Sequence, residues 1–265
     1  MSATTEPTLA DDLSVALALA AEADLISMDR YRAQDLGIQL KADKSIVTDA
    51  DTRVERAIRD HLAEARPRDA VLGEEFGSAG ESRRQWIIDP IDGTSNFARG
   101  VPIWGALIAL VVDGVPEVGV VSAPALGRRW WGATGHGAWL QHDGGEPRRI
   151  RVSGVDALED ATLSYNNLQT WDQYGHLDQL IDLSRTVGRT RAFGDLWSYM
   201  LLAEGAIDIA GEFDMKPWDI AALVPVIREA GGRITTISGE ENVFEPGVIA
   251  TNGILHARVL EKIGH

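Results

Sequence analysis

The chain has 265 residues, 45% of them apolar and 6% aromatic, with a formal charge of −15 and no cysteine. That length and apolar share suit an ordinary soluble globular protein of one large domain or two packed ones. Without cysteine, disulfides and thiolate metal sites are excluded, and the acidic balance argues against a general nucleic-acid surface, whose affinity comes from basic patches.

The first residues, MSATTEPTLADD, carry neither the basic region nor the apolar run of a secretory signal. Residues 1–10 read as a flexible lead-in, and a cytoplasmic location is expected. The longest apolar run, Ile103 to Val112, falls well short of the roughly 20 residues that span a bilayer. Leu17, Ala21, Leu25 and Met28 recur at helical spacing, as do Val54, Ile58 and Leu62 further on. AVL is a short strand leading into Gly73-Glu74-Glu75, and QWII is another leading into Asp89-Pro90-Ile91-Asp92-Gly93. GALIALVVDGVPEVGVVSAP reads as a hairpin turning at Asp113-Gly114, and RRWWGAT extends its antiparallel sheet.

The second half alternates strand-like TLSYN, AIDIAGEF, ITTI and VIATN with helical DLWSYMLLAEG, DIAALVPVIREAGG and a final helix, the signature of an α/β layer. Pro225 inside its helical stretch predicts a kink. GEPRR (Gly145 to Arg149) is the most natural seam, dividing an N-terminal subdomain (1–145) from a C-terminal one (146–265).

Four segments place acids at the ends of apolar elements: VTDAD (Val47 to Asp51), GEE (Gly73 to Glu75), DPIDGTSNF (Asp89 to Phe97) and PWD (Pro217 to Asp219). Acids beside buried strands are costly unless paired, hydrogen-bonded or bound to a cation. An all-oxygen donor set without thiolates suits magnesium, manganese or calcium. In DPIDGT, Pro90 biases Asp89 towards an extended backbone, Gly93 lets the chain approach a ligand, and a helix starting there would offer the amides of Gly93, Thr94 and Ser95 to a phosphate. Each segment alone has a plainer reading. GEE is a solvated loop, VTDAD a helix cap, and PWD a helix start with Pro217 first and Asp219 in the first turn.

Together and in this order, GEE, DPIDGTSNF and the distant WDIAA closely resemble the inositol monophosphatase family of lithium-sensitive, magnesium-dependent phosphatases. VTDAD matches that family's upstream VTxxD element, EAGG (Glu229 to Gly232) matches the segment closing the helix after WD, and the resemblance covers residues 12–260. It implies an α-β-α-β-α sandwich of the inositol monophosphatase and fructose bisphosphatase type, a homodimer, and a small phosphorylated metabolite as substrate, with no nucleic-acid or membrane partner. It further implies that Glu74, Asp89, Asp92, Asp219 and the Ile91 carbonyl hold about two or three magnesium ions, with manganese as a substitute. By the same resemblance Asp51 and Thr94 orient a nucleophilic water, Glu74 holds or deprotonates it, and Gly93, Thr94 and Ser95 seat the phosphate.

Within the family, ALGRRWWGATGHGAW (Ala125 to Trp139), RAFGDLWSYMLLAEG (Arg191 to Gly205) and ATNGILH (Ala250 to His256) are similar to histidinol-phosphate phosphatases of the actinobacterial type. Inositol phosphatases typically carry a small-residue run where this chain has Ala192-Phe193-Gly194-Asp195. Asp195, supported by Glu212, would pair with the ammonium of histidinol phosphate; alternatively Asp195 caps the helix beginning at Leu196. Arg191 would face the phosphate or Asp195, and Phe193 or Trp197 would pack on the imidazole or in the core. The six histidines read as surface or packing residues, and Arg128-Arg129 before Trp130-Trp131 as a packed sheet edge. Two alternatives remain at this point: a broad-specificity inositol or polyol phosphatase, and a non-catalytic homologue. The latter should have lost a metal ligand, and none is missing.

Overall fold

The computed structural model describes residues 6–41, 45–241, 244–245 and 247–264. The chain opens with helix α1 (Leu9–Arg30), the small hairpin β1 (Ile38–Leu40) and β2 (Ile46–Thr48), and helix α2 (Asp49–Ala65). Strands β3 (Ala70–Gly73), β4 (Gly77–Ala79) and β5 (Arg84–Asp92) follow, then the short helix α3 (Thr94–Ala98). A meander comes next: β6 (Gly105–Val112), β7 (Val115–Ala123), β8 (Arg128–Ala133), β9 (Gly137–His142) and β10 (Arg148–Arg149). The second half runs β11 (Thr162–Tyr165), α4 (Leu168–Gln173), α5 (Leu177–Thr186), β12 (Arg189–Arg191), α6 (Asp195–Ala203) and β13 (Ile209–Phe213). It closes with α7 (Pro217–Ile220), α8 (Leu223–Glu229), β14 (Arg233–Thr236), β15 (Gly247–Thr251) and α9 (His256–Ile263).

The first sheet has the order β10-β9-β8-β7-β6-β5-β3-β4, and the second β12-β11-β13-β15-β14. Strand β6 shows why the first sheet lies inside the molecule. It has no polar face, so both sides must be covered. Ala106, Ile108 and Leu110 meet Leu19 and Ala23 of α1 with Val54 and Ile58 of α2. Leu107, Ala109 and Val111 meet Met200 of α6 with Val224 and Ile227 of α8. That central helical layer also packs on Ala210, Val248 and Ala250 of the second sheet, whose far side is covered by Leu180 and Leu183 of α5 and Val259 and Ile263 of α9. The result is the expected α-β-α-β-α sandwich. Among the described residues no helix is long and apolar enough to cross a membrane.

Asp113 (φ 50°) and Gly114 (φ 83°) make the expected tight turn between β6 and β7, since both central residues of such a hairpin need positive φ. Gly119 and Gly132 face each other across the β7–β8 ladder. A Cβ on Gly119 would lie 2.1 Å from the Ala222 carbonyl oxygen, and one on Gly132 2.7 Å from that of Pro225. The backbone leading into α8 therefore rests directly on the sheet. The predicted kink is a full break between α7 and α8, because Pro225 offers no N–H to the carbonyl of Ala221 four residues earlier.

Three expectations need correction. The lead-in is shorter than residues 1–10: α1 starts at Leu9, capped by Thr8, whose hydroxyl accepts from the Asp11 amide at 3.2 Å. The α1 stripe lies on the outer face, with Leu25 76% and Met28 42% exposed, while Ala16, Leu19, Ala20 and Ala23 are buried. Small side chains let that helix approach the sheet closely, and its buried ends are ion pairs: Asp12 with Arg66 and Arg84, Arg30 with Asp35 and Asp49. Arg128 and Arg129 do not sit on a sheet edge, since β8 lies between β7 and β9; they reach Glu204 and Asp24 respectively.

Gly119→Ala should cost about 1–3 kcal/mol through overpacking, whereas Gly114→Ala, with nothing within 4 Å of its new Cβ, should show only the strain of its positive φ, about 1 kcal/mol. Urea unfolding of both variants ranks them; a milder loss at Gly119 would contradict the close backbone contact.

Candidate active site

The site lies where β5 ends between the two sheets. Successive strand residues point to opposite faces, so Asp89 and Asp92, three apart, should diverge. They converge because the ladder with β6 shifts between Asp89↔Leu107 and Asp92↔Gly105, and one extra residue in a bulge re-aims the side chain. Asp89 Oδ1 accepts from the Ile91 amide at 2.9 Å, closing the turn over Pro90. Gly93 then takes φ 82° and starts α3, whose first-turn amides, like those of any helix, lack intrahelical acceptors.

Asp219 joins from the first turn of α7, with Oδ2 accepting from the Lys216 amide at 2.7 Å. Single carboxylate oxygens of Asp89, Asp92 and Asp219 all lie within 4.8 Å of one another. Burial and mutual repulsion push Asp89 and Asp92 well above the ordinary carboxylate range. Asp219 is pushed up to about 7, first by burial and then, against the Lys216 amide, by Glu74. Three buried oxygens of one sign with such proton affinity form a hard-cation donor set. Residues and ion fit.

Asp51 and Thr94 are brought together as well. Thr94 Oγ1 lies 3.3 Å from Asp51 Oδ1 and 3.0 Å from the Ile91 carbonyl oxygen. Asp51 Oδ2 accepts from the Thr48 amide at 2.8 Å, so VTDAD is a helix cap and faces the site at once. Burial raises Asp51 to about 6, opposed by its bonds from Thr48. Glu74 contributes to the raised values of Asp51, Asp89 and Asp219, and its Oε1 accepts from Lys41 Nζ at 2.7 Å. The same ammonium holds Glu75 at 2.8 Å. The fully buried Glu55 anchors the turn from below, accepting from the amides of Glu75 and Phe76 at 2.7 and 3.2 Å. A Cβ on Gly73 would collide with it at 2.0 Å.

A cavity of about 240 Å³ opens beside this cluster, walled by Asp92, Asn166, Asp195, Glu212, Asp214 and Asp219 among others. Asp195 takes φ 48° at the start of α6, a strained conformation for a non-glycine residue. It does not cap that helix. Its Oδ2 accepts from Asn96 Nδ2 at 3.0 Å, and the Leu196 amide donates to Asp92 Oδ2 at 2.6 Å. Burial raises Asp195, and burial with Asp195 and Asp219 raises Glu212 well above its usual value. Arg191 is not brought into the cavity; it is exposed, with Nη1 donating to the Thr190 carbonyl at 2.7 Å. Trp197 packs edge-on against Trp130 under Arg128, and Phe193 packs against the central core. A larger cavity, about 460 Å³, lies at the other end of β5 among Arg66, Arg68, Arg83 and Arg84; the clustered carboxylates, not volume, mark the site.

Lys41, Glu55, Asn96, Asn166 and Thr170 were not legible as site residues. Only Asn96 had a signal, its place inside DPIDGTSNF.

A five-layered sandwich holding an acidic, cation-fitting seam defines a class of phosphatases, and the chain belongs to the inositol monophosphatase family, whose model matches residues 9–265. It is thus a phosphoric monoester hydrolase. It is 53% identical over 254 residues to a histidinol-phosphatase of Mycobacterium tuberculosis, covering 96% of this chain and 98% of that one. It is 47% identical over 258 residues to a histidinol-phosphatase of Streptomyces coelicolor, covering 96% and 97%. Among solved structures, the extragenic suppressor protein suhB from Bartonella henselae superposes with a TM-score of 0.86 at 30% identity, covering 95% and 98%.

With no cation bound, Asp51 and Asp219 keep protons that the unfolded chain releases near pH 4, so the stability they contribute at low pH is lost as pH rises through about 6 to 7. A divalent cation offsets that loss. Magnesium should therefore raise Tm about twice as much at pH 8 as at pH 5, read by thermal unfolding with magnesium against EDTA. Equal gains would place the ion elsewhere.

Proposed function

We propose that the chain is a magnesium-dependent histidinol-phosphatase, hydrolysing L-histidinol phosphate to L-histidinol and phosphate in histidine biosynthesis. The observation that carries this reading is the acid pair Asp195 and Glu212, which walls the same cavity as Asp92 and Asp219. Histidinol phosphate bears an ammonium two carbons from its ester oxygen, so one end of the molecule suits cations and the other suits those two acids. The names of the relatives at 53% and 47% identity agree with it. A homodimer acting in the cytoplasm on a small soluble metabolite, without nucleic acid or membrane, completes the reading.

Glu74, Asp89, Asp92, Asp219 and the Ile91 carbonyl would hold magnesium. When bound, magnesium ions clamp phosphate oxygens, acidify water and offset charge on the leaving alkoxide. The chain's own groups do the rest. The amides of Gly93, Thr94 and Ser95 seat the phosphate at the start of α3. Thr94 Oγ1 has two acceptors within reach, the Ile91 carbonyl and Asp51 Oδ1. Were the Ile91 carbonyl to serve a cation, the Thr94 hydroxyl would donate to Asp51 Oδ1 and offer a lone pair to orient the attacking water. Asp51, with Oδ1 at 3.3 Å from Thr94 Oγ1, fixes that hydroxyl, and Glu74 would hold or deprotonate the water. Glu74 Oε1 is held by Lys41 Nζ at 2.7 Å, and its second carboxylate oxygen would serve a cation. Alignment and charge stabilisation dominate phosphoryl transfer, so no covalent nucleophile is needed.

Purified protein with magnesium should release phosphate from histidinol phosphate faster than from inositol 1-phosphate, with Asp92→Asn as the inactive control. The opposite preference sinks the substrate assignment but not the phosphatase. Asp195→Asn keeps the shape and tolerates positive φ; it should raise KM for histidinol phosphate about tenfold by removing a charged partner. Its effect on β-glycerophosphate should be much smaller, and equal effects would remove Asp195 from ammonium binding.

A further inference from the structure

Among the described residues, neither of the two acids is recorded in an ion pair with lysine or arginine. Each is held by an asparagine instead. Asn96 Nδ2 donates to Asp195 Oδ2 at 3.0 Å and to the Ile103 carbonyl at 2.8 Å. Asn166 stands beside Glu212 in the wall of the same cavity and opposes the rise of its pKa, and its Oδ1 accepts from Thr170 Oγ1 at 3.3 Å, a hydroxyl that also reaches the Asn167 carbonyl at 3.3 Å. A primary amide has one acceptor oxygen and one donor nitrogen, so engaging Oδ1 with Thr170 turns the NH2 group towards Glu212.

The backbone fixes these partners. Strands β11 and β13 run parallel with Tyr165 beside Gly211, so Asn166 leaves one strand next to Glu212 on the other. On its opposite side comes the turn into α6, where a Cβ on Gly194 would lie 3.6 Å from Asn166 Cα. Asn166 thus sits between the residue preceding Asp195 and Glu212. Thr170 is set by α4, whose cap, Asn167, accepts from the Thr170 amide at 2.9 Å. An arginine in place of either asparagine would orient its acid equally well, yet would bring a positive charge that repels an ammonium. An amide donor favours the ionised acid without neutralising it. The two asparagines therefore orient the pair of acids without bringing a cation that would compete with a ligand's ammonium.

We infer that Asn166 and Thr170 are positioning residues for substrate selectivity: Thr170 fixes the Asn166 carboxamide, which aims Glu212 at a substrate ammonium opposite Asp195, held likewise by Asn96. This rests on the reading of an ammonium-bearing phosphate ester as substrate. Both residues also wall the cavity, and their effects should be graded, larger for Asn166, which stands next to Glu212, than for Thr170, which acts on Glu212 through Asn166.

The test uses the full chain with saturating magnesium and two substrates, histidinol phosphate and the ammonium-free β-glycerophosphate. Asn166→Ala should lower the ratio of kcat/KM between them about tenfold, chiefly through KM for histidinol phosphate, because a buried acceptor loses its donor. Thr170→Val, isosteric and lacking only the hydroxyl, should lower the ratio about threefold in the same direction. If the alanine variant fails to fold, the valine variant carries the test. Should the wild type favour histidinol phosphate while both variants slow the two substrates in parallel, the positioning role is overturned and the substrate reading stands. A wild type without preference for the ammonium ester overturns the reading and the inference together.

Discussion

The mutual repulsion of buried carboxylates at the junction of the two sheets is the constraint on which the rest depends. Asp89, Asp92 and Asp219 crowd within 4.8 Å, and burial makes each hold its proton more tightly than it would in water. Left ionised without a counter-charge, such a cluster would push its elements apart. The five layers resist that pressure because the central helices are locked between two sheets, with the α7–α8 backbone seated on Gly119 and Gly132. The same repulsion bears on a phosphate ester approaching a chain of charge −15. The anion can enter this seam only in company with cations, so ion and substrate binding support one another.

The acids are oriented by a shared device. Each uses its carboxylate to satisfy a backbone amide in its own neighbourhood while serving the site. Asp51 closes the start of α2 through Thr48, Asp89 the turn through Ile91, and Asp219 the start of α7 through Lys216. Asp92 does so across the molecule, accepting from Leu196 at the start of α6. Local capping geometry holds a side chain more firmly than a solvated loop would. It also removes the apparent choice between a helix-cap and a site reading of VTDAD and PWD, because one carboxylate can cap its helix and face the cluster at once.

The layering and the acid set were readable through the family resemblance, which rests on local motifs such as DPIDGTSNF and WDIAA; periodicity alone gave strands and helices but not their stacking. Runs such as GALIALVV and acids at the ends of apolar strands need no knowledge of distant partners. What stayed hidden depends on register and long-range pairing. Nothing in the spacing of Asp89 and Asp92 announces the bulge that aligns them. Lys41 meets Glu74 only because the β1–β2 hairpin folds over the GEE turn. Asn166 becomes a partner of Glu212 only through the parallel pairing of β11 with β13. The α1 face was misread for a related reason: hydrophobicity favoured Leu25 and Met28, whereas close packing on the sheet selected alanines and paired charges. The alternative in which Asp195 caps α6 fails because the acid that accepts from the Leu196 amide stands on β5.

That last bond joins the two tasks of the site. In the proposed function, the end of β5 carries what any phosphate monoester would need: acids that would hold a cation, amides that would seat the phosphate, and the Asp51–Thr94 pair. The start of α6 and the end of β13 carry the groups that would distinguish one ester from another, Asp195 and Glu212. Asp92 belongs to both, its carboxylate joining the cluster with Asp89 and Asp219 and accepting from the Leu196 amide through Oδ2. Because that amide directly follows Asp195, the strained φ of 48° there is held from two sides, by Asn96 through the side chain and by Asp92 through the next backbone N–H. A residue in so sparsely populated a conformation persists only where its surroundings over-determine it. Here the surroundings are α3 and the end of β5, so Asp195 and its wall of the cavity are built against the carboxylate cluster and share its rigidity.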